Sequence, residues 1–519
     1  MELIAKICMC VAAALCYCVQ AYHFTHMFQL NSYRDERYAR WCNENGRDLA
    51  SPRRLFPALL LLVALAAAYW VKQTEILYFT AAGILLVAAL LNLPKKAKKP
   101  LVITARVKRL FAAQGLILAA LLTVGWFLPY YTTQFIWVGL VTCIVWFWVR
   151  AAGRIMAPIE KAFADRFIRE ARQMMADRPD LQVIGITGSY GKTSTKTFLT
   201  ALLSVKYNVL MTPENYNTTL GVVRTIRERL KPSHQIFVCE MGAKQRGDIK
   251  EICDLVRPSL GVITSIGEQH LETFGSIDNI IKTKFELADA LPAEGILFVN
   301  TDNAYIRNRT VSGRRISYGL SPADYTAGDI RVDTLGCHFT VTAPDGERAE
   351  FSTKLLGAHN IQNLVGCIAV AHVLGIPLSD LTYPVRLLKP VPHRLQLLPN
   401  GFIDDAYNSN PAGFRSALDL LSGFPGQRVL VTPGMVELGE RQEALNRELG
   451  EYAAGKCDWA ILVGLKQAPP LQEGLLAGGF DPARIHVAPT LQEALAFLNA
   501  LPREGERTVL LENDLPDNF

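Results

Sequence analysis

Residues 184–197 read Ile-Gly-Ile-Thr-Gly-Ser-Tyr-Gly-Lys-Thr-Ser-Thr-Lys-Thr, an apolar run that passes through a glycine-rich turn into a helical pattern. Glycines at 188 and 191 let backbone N–H groups close around phosphate oxygens, where a side chain would obstruct the approach. Lys192 supplies a point charge, and the Thr193 hydroxyl is placed to coordinate Mg²⁺. The chemistry is the binding of a nucleotide's phosphates, with Ser189 and Ser194 beside the turn. A strict phosphate-loop pattern has glycine six positions before the lysine; Ile186 stands there, so the match is to a shorter variant. An ordinary strand–turn–helix is the competing explanation, and the Gly-Lys-Thr ending argues against it.

Other groups could complete such a site. Glu240 ends the run Val238-Cys239-Glu240, and a carboxylate at the C-terminal end of a parallel strand can hold Mg²⁺ against phosphates. His270 follows a β-rich run in Ser265-Ile266-Gly267-Glu268-Gln269-His270. Asn215, Asn217 and Thr218 lie between a β-rich run and a helix, where a plain loop with a helix cap would look the same. Asp404 and Asp405 close a further strand candidate and lead into Tyr407-Asn408-Ser409-Asn410-Pro411. Singly, each has a bland reading: a solvated acid, a structural histidine, a capping residue.

A sheet is needed to bring these residues together. Strand candidates at 183–186, 236–239, 261–265 and 296–299 alternate with helical patterns at 194–204, 248–255 and 279–291. That alternation predicts a parallel sheet with helices on both faces. Residues 315–356 predict a small antiparallel sheet added to the same domain. A second alternating block has strand candidates at 397–403, 429–432, 460–463 and 508–511.

The front of the chain is different. Half of all residues are apolar, and the excess falls in five stretches near 3–21, 55–71, 76–93, 110–128 and 135–152. Each approaches the roughly 17–25 residues a helix needs to cross a bilayer. No small-residue cleavage site follows the first, so a retained helix is expected rather than a signal peptide, with Lys6 snorkelling to the interface. Arginines at 34, 37, 40, 47, 53 and 54 follow the first stretch, and a lysine- and arginine-rich loop over 95–109 follows the third. The intervening loops hold only Lys72 or no basic residue, and Arg150 and Arg154 follow the fifth stretch. This predicts five crossings, the N-terminus outside, and everything after Arg154 in the cytoplasm, where ATP is. The net charge of +6 is largely juxtamembrane, which implies cytoplasmic-membrane lipid as a partner and no nucleic acid. Eleven cysteines show no metal-binding spacing.

From about Val183 to Leu511 these motifs, in this order, resemble the Mur ligase family. The resemblance implies an ATP-dependent amide ligase of peptidoglycan precursor synthesis. Such an enzyme uses ATP and Mg²⁺ to make an acyl phosphate on a peptide carboxylate, then joins D-Ala-D-Ala or a similar amine to it. It assigns Thr193, Glu240 and His270 to the metal, and catalytic roles to Lys192, His270 and Lys284, the last as a carbamylated lysine that also faces metal. Lys284 is selected over Lys282 by its spacing to Glu286. Nucleotide contacts are implied for Gly188, Ser189, Gly191, Lys192, Thr193, Ser194, Asn360, Arg394, Asp404 and Asp405. Substrate contacts are implied for Asn215, Asn217, Thr218, Tyr407, Asn408, Asn410, Pro411, Met435 and Glu437.

The expected class is α/β: a multi-helix transmembrane domain (1–153), a juxtamembrane connecting helix (154–180), a phosphate-loop central domain (181–394) and a Rossmann-like C-terminal domain (395–519). Three departures stand out. Asn446 occupies the place of a family histidine, Glu512-Asn513-Asp514-Leu515 replaces a basic stretch, and His393 replaces a glycine. Membrane-type stretches also stand where soluble members grip a uridine-diphosphate sugar. Nucleotide-linked and lipid-linked precursors therefore both stay open as acceptors. Alternatives are a membrane-bound ligase for another envelope polymer, or a non-catalytic ATP-binding scaffold.

Overall fold

A computed structural model describes the chain except for residues 70–72, 95–99, 270, 334–335, 399, 407–409, 437, 466–467, 504 and 515–519. Met1–Arg166 form one compact unit and Phe167–Leu515 a second.

In the first unit the helices Glu2–Leu30, Thr74–Leu91 and Ala105–Phe127 are each long and apolar enough to cross a membrane. Of the five expected crossings one is corrected and another is bent. The stretch 55–71 opens with the short helix Pro52–Leu55 and a 3-10 turn, Phe56–Leu59, and among the described residues ten remain for the α-helix Leu60–Tyr69. Ten residues rise about 15 Å, half of a hydrocarbon core of about 30 Å. Pro57 lacks an N–H and its ring crowds the preceding turn, which breaks α-geometry there. The stretch 135–152 is divided between helices Tyr131–Cys143 and Val145–Ala176, which meet at 70°. Ile144 between them leaves the helical region, with φ −108° and ψ 36°. The described residues thus hold three helices able to cross, or up to four if the bent pair counts as one span.

Several buried polar side chains of this unit find partners within it, which offsets part of the cost of burying them. The Gln20 amide donates to the Thr142 carbonyl (2.9 Å), the Gln114 amide to the Thr25 hydroxyl (3.0 Å) and the Tyr78 hydroxyl to Gln134 Oε1 (2.7 Å). Lys6 donates to the Trp126 carbonyl at 2.8 Å with its ammonium 4.4 Å from that ring's centroid, at the end of Ala105–Phe127.

The second unit opens with a nine-stranded sheet made of β1 (Gln182–Thr187), β2 (Val209–Met211), β3 (Ile236–Glu240), β4 (Leu260–Ile263), β5 (Ile296–Asn300), β6 (Arg314–Gly319), β7 (Tyr325–Asp333), β8 (Gly336–Thr342) and β9 (Arg348–Thr353). Its order is β2-β3-β1-β4-β5-β6-β7-β8-β9. Neighbours from β2 to β7 pair in parallel, and β7, β8 and β9 form an antiparallel meander. The antiparallel part expected at 315–356 is therefore the continuing edge of the main sheet, and β6 is parallel to β5. Strands β3 and β5 are buried along their whole length, which explains their unbroken apolar runs. On one face Ile184, Ile186 and Val262 pack with Phe198, Leu199 and Leu202 of the helix Lys192–Leu203. On the other, Val183, Phe237 and Met241 pack with Ile249 and Ile252 of the helix Asp248–Val256.

A six-stranded sheet follows: β10 (Gln396–Leu397), β11 (Phe402–Asp405), β12 (Gln427–Thr432), β13 (Trp459–Val463), β14 (Ile485–Ala488) and β15 (Arg507–Glu512), ordered β10-β11-β15-β12-β13-β14. The single strand expected over 397–403 is instead a hairpin in which β10 pairs antiparallel with β11. Gly401, at φ +79°, reverses the chain, a conformation that other residues resist.

Candidate active site

The C-terminal ends of β1, β3 and β4 lie side by side, because β1 sits between β3 and β4. Each end delivers one part of the site. After β1 the chain makes the glycine turn, and Gly191 (φ +81°) caps the helix Lys192–Leu203 in a left-handed conformation. The turn is held by its neighbour after β4: the Ser189 N–H donates to the Ser265 carbonyl (2.6 Å), and the Ser189 hydroxyl donates to the Gly267 carbonyl (3.0 Å). A Cβ on Gly188 (φ +155°) would collide with the Thr264 hydroxyl and approach the Ser265 carbonyl to 2.9 Å; one on Gly191 would come within 2.7 Å of Asn363 Oδ1. Gly188→Ala is therefore expected to distort the turn at a cost of about 1–3 kcal/mol. Nucleotide affinity, measured with fluorescent ADP, should fall by tenfold or more; unchanged affinity would refute the phosphate assignment of this turn.

Lys192 folds over the turn, donating to the carbonyls of Gly188 (2.7 Å) and Ser189 (2.9 Å). Burial lowers its pKa to about 8; Glu240 opposes that shift and the Arg394 cation reinforces it. Glu240, the last residue of β3, is 1% exposed. Its Oε1 accepts from the Thr193 hydroxyl (3.2 Å) and the Asn217 amide (3.0 Å), and its Oε2 lies 2.9 Å from Lys196 Nζ. Burial pushes the Glu240 pKa upward, but the Lys196 and Lys192 cations outweigh it and hold the carboxyl below its ordinary value. A buried, ionised carboxylate beside a threonine hydroxyl is the hard-oxygen donor set that Mg²⁺ favours, so these residues fit the ion.

Lys284 is buried on the helix Ile277–Asp289, whereas Lys282 is exposed. Burial drives its pKa well below the usual lysine range, the Lys192 cation adds to this, and Asp248 and Glu286 oppose it. Glu286 is otherwise engaged, accepting the N–H groups of Gly247 (2.7 Å) and Lys250 (3.0 Å).

The remaining expected residues divide into those facing this centre and those seen in structural roles. Ser194 is buried in the helix behind the turn. Asn360 is 7% exposed and its amide donates to the Leu356 carbonyl (2.7 Å). Asn215 is exposed, and Thr218 caps the helix Thr219–Arg229 by accepting the Gly221 N–H (3.3 Å). Asn410 caps the helix Pro411–Ser422, with Pro411 at its first position. Met435 is fully buried, and Asn446 clamps it by accepting its N–H (2.8 Å) and donating to its carbonyl (2.9 Å). His270, Tyr407, Asn408 and Glu437 lie outside the described residues.

Arg394 lies near enough to act on two charges, repelling the Lys192 ammonium and attracting the Asp405 carboxylate. Its neighbours His393 (φ +61°) and Leu395 (φ +45°) are left-handed, so the position of the departed glycine is one that glycine would suit. The β11 acids hold them: His393 Nδ1 is 2.7 Å from Asp404 Oδ2, and the Leu395 N–H donates to Asp405 Oδ1 (3.0 Å). Burial lifts the Asp405 carboxyl to about 6, against the pull of Leu395, Glu512 and Arg394. Because that value exceeds an unfolded value of about 3.9, the associated stability is present at low pH and lost as pH rises from about 4 to 6. Asp405→Asn should match the parent's unfolding temperature near pH 4 and exceed it near pH 6; parallel curves across that range would refute this.

Sequence reasoning missed Lys196, Asn363 and the run Asn300-Thr301-Asp302-Asn303 at the end of β5. Asp302 accepts the N–H groups of Leu320 (2.7 Å) and Ser321 (2.9 Å) and the Gln362 amide (2.9 Å), which ties the end of β5 to the helix Ala358–Val373. Asp302 lies two residues beyond the end of β5, at the same sheet edge as Glu240, and that was the available signal.

The sequence matches the Mur ligase middle domain over residues 186–371 and the Mur ligase glutamate ligase domain over 393–511. It is 36% identical over 293 residues to the UDP-N-acetylmuramoyl-tripeptide–D-alanyl-D-alanine ligase of Escherichia coli (strain K12), covering 54% of this chain and 64% of that protein. To the Bacillus subtilis (strain 168) protein of the same name it is 34% identical over 277 residues, covering 52% and 59%. The chain thus spans less than two thirds of these relatives. Among solved structures it is similar to MurF from Acinetobacter baumannii (TM-score 0.61, 29% identity, covering 67% of this chain and 77% of that one). MurF ligase from Thermotoga maritima in complex with ADP gives a TM-score of 0.61 at 27% identity, covering 67% and 80%. With both domains matched in the order of the motifs, the chain belongs to the Mur ligase family.

Proposed function

We propose that the chain is an ATP-dependent amide ligase that activates a peptide carboxylate of a peptidoglycan precursor and joins D-Ala-D-Ala or a similar amine to it. The observation that carries this reading is the convergence of Lys192, Thr193, Glu240 and Lys284 at one sheet edge, with Arg394 in the field of Lys192. Relatives named for this reaction support it.

A carboxylate resists amines because oxide is a poor leaving group. A carboxylate oxygen attacks the γ-phosphorus of ATP, the bond to the bridging oxygen breaks, and ADP leaves. The amine nitrogen then attacks the acyl carbon, inorganic phosphate departs, and the nitrogen gives up its proton. Lys192 offsets charge on the transferring group, and the turn's N–H groups orient it. Thr193 and Glu240 would hold Mg²⁺, which when bound adds positive charge against the phosphate oxygens. Arg394 and the β11 acids fix the segment between the two sheets, whose closure would keep water from the acyl phosphate.

The apolar helices of the first unit would tether the ligase to the cytoplasmic membrane. With one expected crossing corrected and another bent, loop alternation no longer orients the chain; the need for ATP is what favours a catalytic unit at the cytoplasmic face. Detergent-purified chain, incubated with ATP, Mg²⁺, D-Ala-D-Ala and a tripeptide precursor in nucleotide-linked or lipid-linked form, tests the proposal by mass spectrometry. A product heavier by the dipeptide identifies the acceptor. Phosphate release only with another amine would favour a different envelope polymer, and none with any amine would favour the scaffold.

A further inference from the structure

Lys196 lies one helical turn beyond Lys192, on the same face of the helix Lys192–Leu203. Its ammonium is 2.9 Å from Glu240 Oε2 and donates to the Glu214 carbonyl at 2.6 Å. Both charged side chains of this pair are at most 2% exposed. Glu214 has φ +43°, an unfavourable conformation for a non-glycine residue, and begins the loop that carries Asn215 and Asn217. Asn217 returns to the same carboxylate through Oε1, and its carbonyl accepts the Gly242 N–H at 2.7 Å. The two oxygens of Glu240 thus have separate duties. Oε2 is anchored by Lys196, while Oε1 faces the Thr193 hydroxyl on the phosphate turn.

We propose that Lys196 is a positioning residue, which fixes Glu240 with Oε1 toward the phosphate turn and ties the asparagine loop to that carboxylate. The proposal rests on the reading of Glu240 as the carboxylate that faces Mg²⁺. A buried ion pair kept only for stability would not need this arrangement, since such pairs are often replaceable by apolar groups. Lys196 touches neither nucleotide nor metal in this scheme; it acts through Glu240 and through the Glu214 carbonyl.

The test compares Lys196→Met with the parent as full-length chain in detergent, reading ADP binding against Mg²⁺ concentration and amide hydrogen exchange over 213–218. Loss of a partner behind a metal ligand costs roughly 10–100-fold in metal affinity. The Mg²⁺ needed for half-maximal enhancement of ADP binding should therefore rise by tenfold or more. Metal-free ADP affinity should stay within about twofold, and exchange in the loop should quicken. Glu240→Gln serves as the control. If it leaves the Mg²⁺ requirement unchanged, the metal reading of Glu240 fails whatever Lys196 does. If Glu240→Gln shifts the requirement and Lys196→Met shifts neither Mg²⁺ nor exchange, the positioning role is overturned. Lys196→Arg keeps the charge and alters its reach, so it covers the case in which the methionine variant does not fold: the same shift is expected, and its absence rejects the proposal.

Discussion

Lys192→Ala is expected to lower turnover roughly 10³-fold, the scale set by removing a preorganised charge from a phosphoryl- or acyl-transfer site. The ammonium reaches over the turn to the Gly188 and Ser189 carbonyls, and no other described cation lies on that turn. Truncation should leave the fold in place. Glu240 keeps its Lys196 partner, so the variant does not strand a buried carboxylate, and a half-buried cation with a lowered pKa is removed along with its desolvation cost. The unfolding temperature should therefore move little while inorganic phosphate release, assayed with all substrates present, collapses. Lys192→Arg should rescue poorly, because a planar fork cannot occupy the space of a compact ammonium against two carbonyls. Full turnover in Lys192→Ala would refute the phosphate role of the turn and the ligase reading with it.

The glycine turn between β1 and its helix was legible because every determinant is local: Gly188 and Gly191 mark the backbone, and Lys192 and Thr193 follow at fixed spacing. Glu240 was legible because a strand ends there and strand ends gather at one edge. Lys196 escaped notice because its meaning depends on β3 lying beside β1, a pairing that no local pattern announces. Asn446 looked like a lost histidine, yet it holds the backbone of Met435 through paired hydrogen bonds made across eleven residues. At the front of the chain hydropathy gave the apolar stretches, but Pro57 and the break at Ile144 decided which of them stay continuous. An average over a window cannot register a single residue that interrupts a helix. The hairpin of β10 and β11 was legible but overlooked, since Pro399-Asn400-Gly401 is a turn signal in the middle of the run taken as one strand.

Lys284→Ala is expected to cost roughly 10²–10³ in turnover, and Lys284→Glu to recover part of it. The reason lies in the charge state of the parent side chain. Burial and the Lys192 cation together hold the Lys284 pKa well below the lysine range, which favours the uncharged amine. Only the uncharged amine has the lone pair that attacks CO₂: the nitrogen–carbon bond forms, a carbamate anion results, and one proton passes to solvent. On a carbamylated Lys284 the effect of Lys192 would reverse: the cation that disfavours the ammonium would attract the anion, more strongly at low effective dielectric than in water. The same exchange gives an expected pH dependence: protonation of the amine would drive CO₂ from the carbamate, so activity should be lost toward acid pH. Labelling with ¹³C-bicarbonate should give one carbamate resonance in the parent and none in Lys284→Ala. A variant without that resonance but with parental turnover would show that the buried amine serves the fold alone.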